Sequence, residues 1–501
     1  MENIRRSMMN YLNKNLEDVK ILDKSEFPSK VAPKNKVVEN TVELLKGLDL
    51  KDGAVLSFHH HLRNGDYVLN MVMEAIAKKG IKDITIAASS IFPIHEPLVE
   101  YMKQGIVTGV YANYMSGPVA EAISKGCLKN PAVMMTHGGR PRAIESGDLH
   151  IDVAFLAAPT ADTYGNVNGT EGKSACGALG YSICDAEYAD KVVAITDNLV
   201  PYPASPIEIS QIYVDYVVNV ESIGDPAGIV SGTTRITKDP VGLKIAKMAT
   251  EVIEASGLVK DGISFQTGAG GTSLAVAAEL KEVMKKKGVV GSFAAGGVTG
   301  YIVEMFEEGL FKSIFDVQCF DLKAAESYKK NSAHMPMSSS MYGNPHNKGA
   351  VVNNLDVMIL GATEIDTDFN VNVTTGSDGV IMGGSGGHSD TAAGSKLSII
   401  VTNLVKARLP IIKDKVTTIT TPGESIDVIV TERGIAVNPR RKDLIEKLKE
   451  TNLPVMTIEE LKELAEKMTG TPNPIETTDE IVAVIEYRDG TVIDVVKKPL
   501  E

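Results

Sequence analysis

Tryptophan is absent from this chain of 501 residues, and aromatic residues account for only 5% of it. Glycine, in contrast, is abundant, with 45 residues. Because glycine permits tight turns and close backbone approach, this profile is typical of an α/β protein with many strand–helix turns and sites lined by backbone. The hydrophobic fraction of 43% is that of a globular protein and gives no sign of disorder.

Cysteine is also scarce, and no two cysteines form a C-x-x-C pair: the four are Cys127, Cys176, Cys184 and Cys319. Their scatter excludes a disulfide framework and a zinc motif, and it favours a reducing compartment. The amino terminus has no apolar core of signal-peptide length, and no run of about 18 apolar residues occurs. The sequence therefore predicts a cytoplasmic protein without a membrane span.

Basic residues are outnumbered, since 51 Lys and Arg face 64 Asp and Glu, which gives a net charge of −13. Nucleic-acid binding needs a basic surface, and so does an anionic membrane, so both partners are excluded. If the substrate is itself an anion, its site must be a local positive region in a negative protein.

The length predicts two domains of roughly 200 residues each. Residues 1–45 are polar and of mixed charge, and we interpret them as an N-terminal arm. From Gly53 onward, buried strands alternate with glycine-bearing turns and helices. Such alternation predicts an open, mostly parallel, twisted sheet covered by helices.

An internal repeat divides the chain into two related halves. Residues 152–168 and 356–372 coincide at about half of their positions, and each copy is a buried strand that leads into an Asx-rich turn. We therefore predict two tandem α/β domains, residues 46–235 and 236–501, with the boundary near 232–240. The second domain is predicted to end in a hairpin within residues 481–496, which turns at the Asp-Gly pair 489–490.

Two basic loops are candidates for the positive region. Three consecutive histidines and an arginine follow the first strand, where α/β sheets bind ligands, and a second loop carries a histidine and two arginines. These residues are His59, His60, His61, Arg63, His137, Arg140 and Arg142. Three histidines on an extended chain cannot all face one way, which argues against a three-histidine metal site. Carboxylate binding by Arg63 with one or two histidines is the functional hypothesis, and a structural role is the alternative.

Two glycine-rich segments lie in the second half. Gly268, Gly270 and Gly271 sit where a strand meets a helix amino terminus, a place that favours anions, although a plain tight turn has the same pattern. Residues 383–387 hold four glycines in five positions and follow a strand-like run. Their backbone amides would suit an oxyanion or a pyrophosphate, and a flexible loop is the alternative.

Signals for nucleophilic or metal catalysis are weak. There is no G-x-S-x-G elbow, and the cysteines lie among apolar or small residues, where thiols are more often structural than reactive. Asp366 and Asp368 are better explained as solvated turn residues than as metal ligands. No metal site is predicted.

Taken together, several segments resemble the CoA-transferase superfamily, and specifically the family of citrate lyase α subunits, over nearly the whole chain. The Asp-x-x-Gly-Asn turn at 162–166 and the Gly-Gly-x-Gly-Gly-x-x-Asp segment at 383–390 resemble superfamily signatures. The run from His59 to Arg63 resembles the citrate branch, and the match extends through residues 431–439. The resemblance implies two tandem CoA-transferase-like domains, each an open and mostly parallel twisted sheet with helices, that hold an acyl carrier between them.

The resemblance also implies a function, citrate CoA-transferase activity within citrate lyase. Acetyl would be exchanged for citryl on the phosphopantetheine-like arm of a γ acyl carrier protein subunit, and a β lyase subunit would cleave the product. Acetyl-CoA can stand in for the carrier, and no tightly bound cofactor is expected in this chain, which is predicted to be an oligomer. On this basis the first domain binds the acid, Gly386 and Gly387 form the catalytic turn, and the CoA-binding glycines are Gly268, Gly270, Gly271, Gly383 and Gly384.

One departure from the superfamily pattern concerns the mechanism. Transferases that form a glutamyl thioester carry a Glu where this chain has Ala294-Ala295-Gly296-Gly297. We therefore expect direct transfer through a mixed anhydride, which needs orientation and oxyanion stabilisation rather than a general base. A citramalate or other dicarboxylate CoA-transferase stays open as an alternative, as does a thioester-binding scaffold without activity.

Overall fold

The computed structural model describes residues 35–230 and 235–500. The strands, in chain order, are β1 Val37–Val38, β2 Val55–Phe58, β3 Ile84–Ala88, β4 Val107–Ala112, β5 Ala132–Met134, β6 Val153–Ala158, β7 Thr160–Asp162, β8 Val167–Asn168, β9 Lys191–Thr196, β10 Leu199–Val200, β11 Tyr216–Asn219, β12 Phe265–Thr267, β13 Gly291–Val298, β14 Phe311–Cys319, β15 His334–Pro336, β16 Val357–Leu360, β17 Glu364–Asp366, β18 Val371–Asn372, β19 Leu397–Val401, β20 Val405–Lys406, β21 Leu409–Pro410, β22 Ile412–Lys413, β23 Val428–Val430, β24 Ile435–Val437, β25 Val455–Met456, β26 Thr477–Glu486 and β27 Val492–Pro499.

The α-helices are α1 Thr41–Leu48, α2 Val68–Lys79, α3 Leu98–Lys103, α4 Pro118–Ser124, α5 Gly139–Ser146, α6 Gly180–Tyr188, α7 Pro240–Ser256, α8 Gly271–Lys287, α9 Gly300–Glu307, α10 Leu322–Lys330, α11 Ser339–Gly343, α12 His388–Gly394, α13 Lys442–Lys449 and α14 Ile458–Thr469. None of the helices in the described ranges has the length and hydropathy needed to cross a bilayer.

Two large sheets form the framework, and both are almost entirely parallel. The first has ten strands in the order β1-β11-β9-β6-β2-β3-β4-β5-β26-β27, with only the last pair antiparallel. The second has nine strands in the order β15-β14-β13-β12-β16-β19-β23-β24-β25, with only β23 and β24 antiparallel. Parallel strands covered on both faces have continuous apolar runs, and β6 and β16 are buried along their whole length. The predicted α/β class with mostly parallel sheets is confirmed.

Local sequence signals explain where helices begin and end. The side chain of Asp239 accepts hydrogen bonds from the backbone N–H groups of Val241 and Gly242, and Pro240 occupies the first helical position of α7. Gly257 ends the helix in the left-handed conformation, with φ of 79°. Helix α7 is the first helix of the second half, and it packs on the second sheet.

The repeat forms matching structure in both halves. In each, a buried strand (β6 or β16) lies beside the strand that opens the half (β2 or β12) and continues into a small sheet that carries the Asx turn. Asp162 and Asp366 each accept hydrogen bonds from the backbone N–H groups two and four residues ahead. The related halves that the repeat predicted are therefore visible in strand order and in individual hydrogen bonds.

The ends of the chain differ from the prediction. The hairpin β26–β27 exists, but β26 pairs with β5, so this segment completes the first sheet although it was assigned to the second domain. Likewise β1 pairs with β11, so residues 37–48 pack on the first sheet instead of forming an arm. The remainder of the predicted arm, residues 1–34, and residues 231–234 of the predicted boundary lie outside the described ranges. A strand's partner in a sheet is a long-range choice that local pattern does not specify.

Candidate active site

The site lies where the carboxyl edge of the first sheet contacts the second half of the chain. Gln318, at the end of β14, donates from Nε2 to the backbone oxygen of His60, just after β2, at 2.9 Å. The glycine segment 383–387 packs on the other side: Gly386 N donates to Asn113 O at 3.1 Å, and His137 N donates to Gly386 O at 2.7 Å. The predicted acid-binding loops and the predicted glycine turn are therefore brought together, although more than 240 residues separate His137 from Gly386 in the sequence.

The three histidines alternate in direction, as the extended chain requires. His59 bonds Asp185 at 2.7 Å, and His61 bonds the backbone oxygen of Ala157 at 2.6 Å, so both rings are engaged within the first half. His60 faces the opposite way, with its Nδ1 held by Ser89 Oγ at 2.5 Å. Among the three, His60 alone stacks with His137 and Tyr181 at the meeting edge, whereas His59 and His61 each bond a group of the first half, and their role in acid binding stays a prediction.

Arg63 bridges the two halves through its guanidinium group. The Cζ atom lies 5.5 Å from the ring centre of Phe92 in the first half and 4.8 Å from that of Phe320 in the second. Its Nη1 is buried and has no hydrogen-bond partner among the described residues. The backbone of Arg63 has φ of 52°, an uncommon conformation for a residue with a side chain, which tends to be retained at functional sites. Burial lowers the pKa of Arg63, yet an arginine remains charged, so the junction holds a cation for which the described part of the chain provides no carboxylate partner.

His137 and Tyr181 complete the first-half side of the site. The Tyr181 ring lies 4.6 Å from the ring centres of both His60 and His137, which stack on each other at 5.8 Å. Burial, together with neighbouring Arg140, lowers the pKa of His137 to about 3, and burial together with His137 and Arg63 lowers that of His60 well below 6.5. Both imidazoles are therefore neutral at pH 7, and the charge that attracts an anion belongs to Arg63.

Asp390 fixes the loop that carries His137. Its carboxylate accepts hydrogen bonds from Thr136 Oγ1 and from the backbone N–H of Gly138, each at 2.9 Å. Arg488, in the turn of the hairpin β26–β27, lies 3.6 Å from the same carboxylate. The first-half loop, α12 and the carboxyl-terminal hairpin are thereby joined at one buried carboxyl group.

The other two predicted arginines do not present free guanidinium groups to a ligand. Arg140 forms two hydrogen bonds of 2.6 Å to the carboxylate of Asp185 and a third to the Ala87 backbone oxygen. Arg142 pairs with Asp148 at 2.6 Å and packs beside the hairpin turn at Gly490. Their prediction as acid ligands is corrected, because each positive charge is already compensated by a carboxylate of the protein.

The glycine segment 383–387 differs from its prediction in an informative way. The amides of Gly383, Gly384 and Gly386 are not open, since they donate to the backbone oxygens of Thr374, Val373 and Asn113. A Cβ atom on Gly384 would lie 2.3 Å from the Asn113 oxygen, so glycine is needed there for close packing between the halves. Gly387 is different, because its N–H has no acceptor among the described residues. The catalytic prediction therefore narrows from Gly386 and Gly387 to Gly387.

Gly268, Gly270 and Gly271 lie between β12 and α8, with Gly270 at the helix cap. Gly268 N donates to the Ile359 backbone oxygen, whereas Gly270 N has no acceptor within the described part of the chain. These glycines stay a prediction for the binding of CoA.

Gly296 belongs to the segment 294–297, which lacks the Glu expected of transferases that form a glutamyl thioester. It has φ of 103°, and a Cβ atom there would lie 2.3 Å from Gln266 Nε2. A side chain at this point would thus be strained and would collide with Gln266. The structure explains why glycine stands here, and Gln266 takes the space beside it.

Four site residues were not predicted as such: Tyr181, Gln266, Phe320 and Tyr342. Gln266 lies in β12 near its carboxyl end, and Phe320 directly follows β14, positions that could have drawn attention to them. Tyr181 and Tyr342 lie on short helices without any local motif, so no sequence signal could have found them.

Elsewhere, Asp316, Cys319 and His334 come together and could in principle hold a metal ion. However, Cys319 Sγ donates to Asp316 Oδ2, which also bonds His334 Nε2 at 3.0 Å, and His334 Nδ1 bonds Ser327. We describe this group as a closed hydrogen-bond network between β14, β15 and α10.

Comparisons with known proteins show the family to which the chain belongs. The sequence model of the family "Citrate lyase, alpha subunit (CitF)" matches residues 34–499. The citrate lyase alpha chain of Haemophilus influenzae is 51% identical over 473 residues, which cover 94% of this chain and 95% of that protein. The Escherichia coli citrate lyase alpha chain is 49% identical, with 95% and 94% covered.

Solved structures are similar as well. A Streptococcus mutans chain described as the alpha subunit of citrate lyase in complex with citrate has 52% identity and a TM-score of 0.92, with 97% of this chain and 96% of that chain covered. A Pseudomonas malonate decarboxylase structure, at 16% identity and a TM-score of 0.64, covers 88% of this chain and 84% of its own and shares the fold. The chain therefore belongs to the citrate lyase α-subunit family.

Proposed function

We propose that this chain transfers the acyl carrier of an acetyl thioester to citrate, giving the citryl thioester and acetate. The observation that carries the proposal is the buried Nη1 of Arg63, which has no hydrogen-bond partner among the described residues. It belongs to a guanidinium group that lies between Phe92 and Phe320, near His60. A negative protein needs such a site to bind an anionic acid. The Streptococcus mutans relative was solved with citrate, which supports this acid as the ligand here.

A carboxylate of the acid would bind Arg63 through two parallel N–H···O bonds, for which the planar guanidinium is suited. His60 and His137 are neutral, so they would orient the acid as hydrogen-bonding groups without adding charge. One cation and neutral partners thus hold one end of the acid while another carboxylate is left as the nucleophile.

The reaction would proceed in two acyl transfers. A citrate carboxylate oxygen attacks the acetyl carbonyl carbon, the C–S bond breaks, the carrier leaves as a thiolate, and citryl acetyl anhydride remains. The thiolate then attacks the citryl carbonyl carbon of the anhydride, and acetate leaves. No net proton transfer is needed, which agrees with histidines whose pKa values are lowered by burial.

Each attack places negative charge on a carbonyl oxygen, and a backbone donor can stabilise it. Gly387 N–H has no acceptor among the described residues, and the neighbouring Gly386 packs against the His137 ring. Preorganised donors of this kind are worth about 10²–10³ in turnover. We assign to Gly387 the binding of the thioester oxygen.

Direct transfer predicts that no enzyme-bound acyl or CoA thioester forms, because Gly296 offers no carboxylate. After incubation with acetyl-CoA, and after treatment with hydroxylamine or borohydride, the intact mass of the chain should be unchanged. An adduct on any Glu, Asp or Cys that forms and decays during turnover would disprove the direct route.

As a family member, the chain would work in a multisubunit complex, with a β lyase subunit and a γ acyl carrier protein subunit as the proposed partners. The carrier's phosphopantetheine-like arm would supply the thiol, and acetyl-CoA would replace it in the test tube. No cofactor of this chain's own enters the proposal.

The deciding experiment mixes the purified chain with acetyl-CoA and citrate and measures citryl-CoA and acetate by mass spectrometry. Citramalate and other dicarboxylates, tested in parallel at the same concentration, decide between citrate and the alternative acids. If thioester and acid both bind but no product forms with any of them, the chain is a binding scaffold and the proposed transferase function is wrong.

A further inference from the structure

Tyr342 lies against Gly387 of the candidate site. Its side chain is 2% exposed, and it shares an apolar cluster with Tyr181, whose ring contacts those of both His60 and His137. It is carried by the short helix α11, which packs against α6. A buried tyrosine hydroxyl at the meeting of both halves needs a polar partner.

Gln266 is that partner, and the direction of the hydrogen bond matters. Gln266 Nε2 donates to the Tyr342 hydroxyl oxygen at 2.8 Å, so this bond leaves the hydroxyl proton of Tyr342 available. A bond received at the oxygen also strengthens the O–H as a donor, because successive hydrogen bonds polarise one another. Gly296 has no Cβ atom and therefore leaves room for the Gln266 amide in this position.

The Tyr342 hydroxyl also contacts the glycine turn. A Cβ atom on Gly387 would lie 2.3 Å from the hydroxyl oxygen, so the hydroxyl sits directly against the Gly387 Cα. The Gly387 N–H, one bond away, has no acceptor among the described residues. Two donors, one from a side chain and one from the backbone, therefore stand next to each other.

We propose that Tyr342, held by Gln266, is a catalytic residue that donates its O–H to the thioester carbonyl oxygen, next to the Gly387 N–H. This inference rests on the proposed acyl transfer and adds a side-chain donor to it. As the carboxylate oxygen bonds to the carbonyl carbon, the oxygen gains negative charge that both donors stabilise. When the C–S bond breaks, the carbonyl re-forms and Tyr342 keeps its proton, so the residue acts as a donor and not as an acid.

The test begins with wild-type chain, acetyl-CoA and citrate, and it uses the Tyr342→Phe variant, which removes only the hydroxyl. We expect kcat for citryl-CoA formation to fall by about 10²-fold, as for other lost oxyanion donors. The half-saturating concentrations of both substrates should change by less than about threefold, because the hydrogen bond strengthens only in the transition state.

A second variant, Gln266→Glu, keeps the hydroxyl but offers it a carboxylate. The hydroxyl proton should turn toward the new acceptor, and kcat should fall by a similar factor. The double variant should be no slower than Tyr342→Phe alone, because both changes remove one donor. If Tyr342→Phe does not fold, as judged by thermal melting, the Gln266→Glu result alone decides.

Tyr328→Phe is the matched control, since Tyr328 is a partly buried tyrosine whose hydroxyl bonds a protein carboxylate, that of Glu208. It should keep wild-type kcat even if its melting temperature falls. The proposal is wrong if Tyr342→Phe retains wild-type kcat, if it raises both half-saturating concentrations with kcat unchanged, or if Tyr328→Phe loses as much kcat. Wild-type chain that makes no citryl-CoA overturns the proposed function itself, and the role of Tyr342 with it.

Discussion

The two halves of the chain share a framework but divide the chemistry. Around β2 the first sheet has the strand order β4-β3-β2-β6-β9, and around β12 the second has β14-β13-β12-β16-β19. At the equivalent point after the central strand, however, the first half carries His60 and Arg63, and the second carries Gly268 and Gly270. Repetition of the framework therefore did not make two copies of the site.

The difference follows from how each half packs on the other. Gly180, after the first repeat, packs against the backbone oxygens of Val317 and Met337 in the second half. Gly384, after the second repeat, packs against the Asn113 oxygen in the first half. The exchange is reciprocal, yet the two halves contribute different groups: Arg63 comes from the first, and Gly387, whose N–H has no acceptor among the described residues, comes from the second. The first half supplies charge for the acid, and the second supplies neutral donors for the thioester.

The sharpest test of that division is Gly387→Ala in the second half. The new Cβ would lie 2.3 Å from the Tyr342 oxygen and would displace both proposed donors. We expect kcat to fall by roughly two orders of magnitude, with a smaller effect on the half-saturating citrate concentration. The exposed Gly349→Ala, where a Cβ meets no atom within 4 Å, is the control. Unchanged turnover in Gly387→Ala would mean that the segment serves packing alone.

The matching change in the first half is Arg63→Ala. Loss of a charged hydrogen-bonding group from a buried site should cost about 2 kcal/mol or more, or about 30-fold in the half-saturating citrate concentration. The value for acetyl-CoA should change far less, because the thioester is assigned to the second half. Arg63→Lys should recover only part of the loss, since a point charge cannot reproduce a bidentate contact.

Arg440→Ala controls for loss of an arginine, because Arg440 is exposed and its nearest acid, Glu424, is 3.4 Å away. It should behave as wild type in both assays. If Arg63→Ala raises the half-saturating concentrations of citrate and acetyl-CoA equally, the division of labour between the halves is wrong. Since Arg140 and Arg142 are already paired, His60 and His137 would then be the next residues to test.

A smaller difference, in the free energy of unfolding, is expected between substitutions in the two Asx turns. Burial opposes ionisation of Asp162, but hydrogen bonds from Ala204 N and from its own turn outweigh it, so the pKa of Asp162 is lowered. In Asp366 burial prevails and the pKa is raised. We therefore expect Asp162→Asn to cost about 1–3 kcal/mol of unfolding free energy at pH 7, and Asp366→Asn to cost less. Thermal melting measures both, and equal losses would show that the hydrogen bonds to Asp162 stabilise the fold no more than those to Asp366.

The smallest effect concerns pH and the carboxyl group that joins the halves. Burial raises the pKa of Asp390 to about 6, although Arg488 and the bonds from Gly138 and Thr136 oppose the shift. A raised folded pKa favours the protonated form, so this contribution is present below the unfolded value near 4 and is lost as pH rises through about 6. An asparagine at this position resembles the protonated Asp390 and does not titrate. The Asp390→Asn variant should therefore not lose this stability as the pH rises.

The melting temperature of Asp390→Asn relative to that of the wild type should therefore rise between pH 5 and pH 7, by the equivalent of about 1 kcal/mol of unfolding free energy. Asp148→Asn, a change at an exposed carboxylate on Arg142, serves as the control and should show no such trend in that range. A difference between Asp390→Asn and wild type that is constant over the range would show that Asp390 does not titrate there.

What the sequence determined by itself is local. The apolar runs of β6 and β16, the Asx turns at Asp162 and Asp366, the hairpin turn at Asp489-Gly490 and the alternation of His59, His60 and His61 all follow from short-range backbone rules. The family resemblance added the expectation that the chain acts on citrate and an acetyl thioester. The repeat also predicted two related sheets, because each copy carries its own strand and turn.

Only the tertiary structure decided which of these residues meet. Arg63, Arg140 and Arg142 are equivalent in a sequence, but packing pairs two of them with Asp185 and Asp148 and leaves Nη1 of Arg63 without a partner. In the same way, packing encloses three glycine amides of the segment 383–387 and leaves that of Gly387 open, next to Tyr342. The physical reason is that pairing and burial depend on partners far away in the chain, and a local pattern carries no information about them.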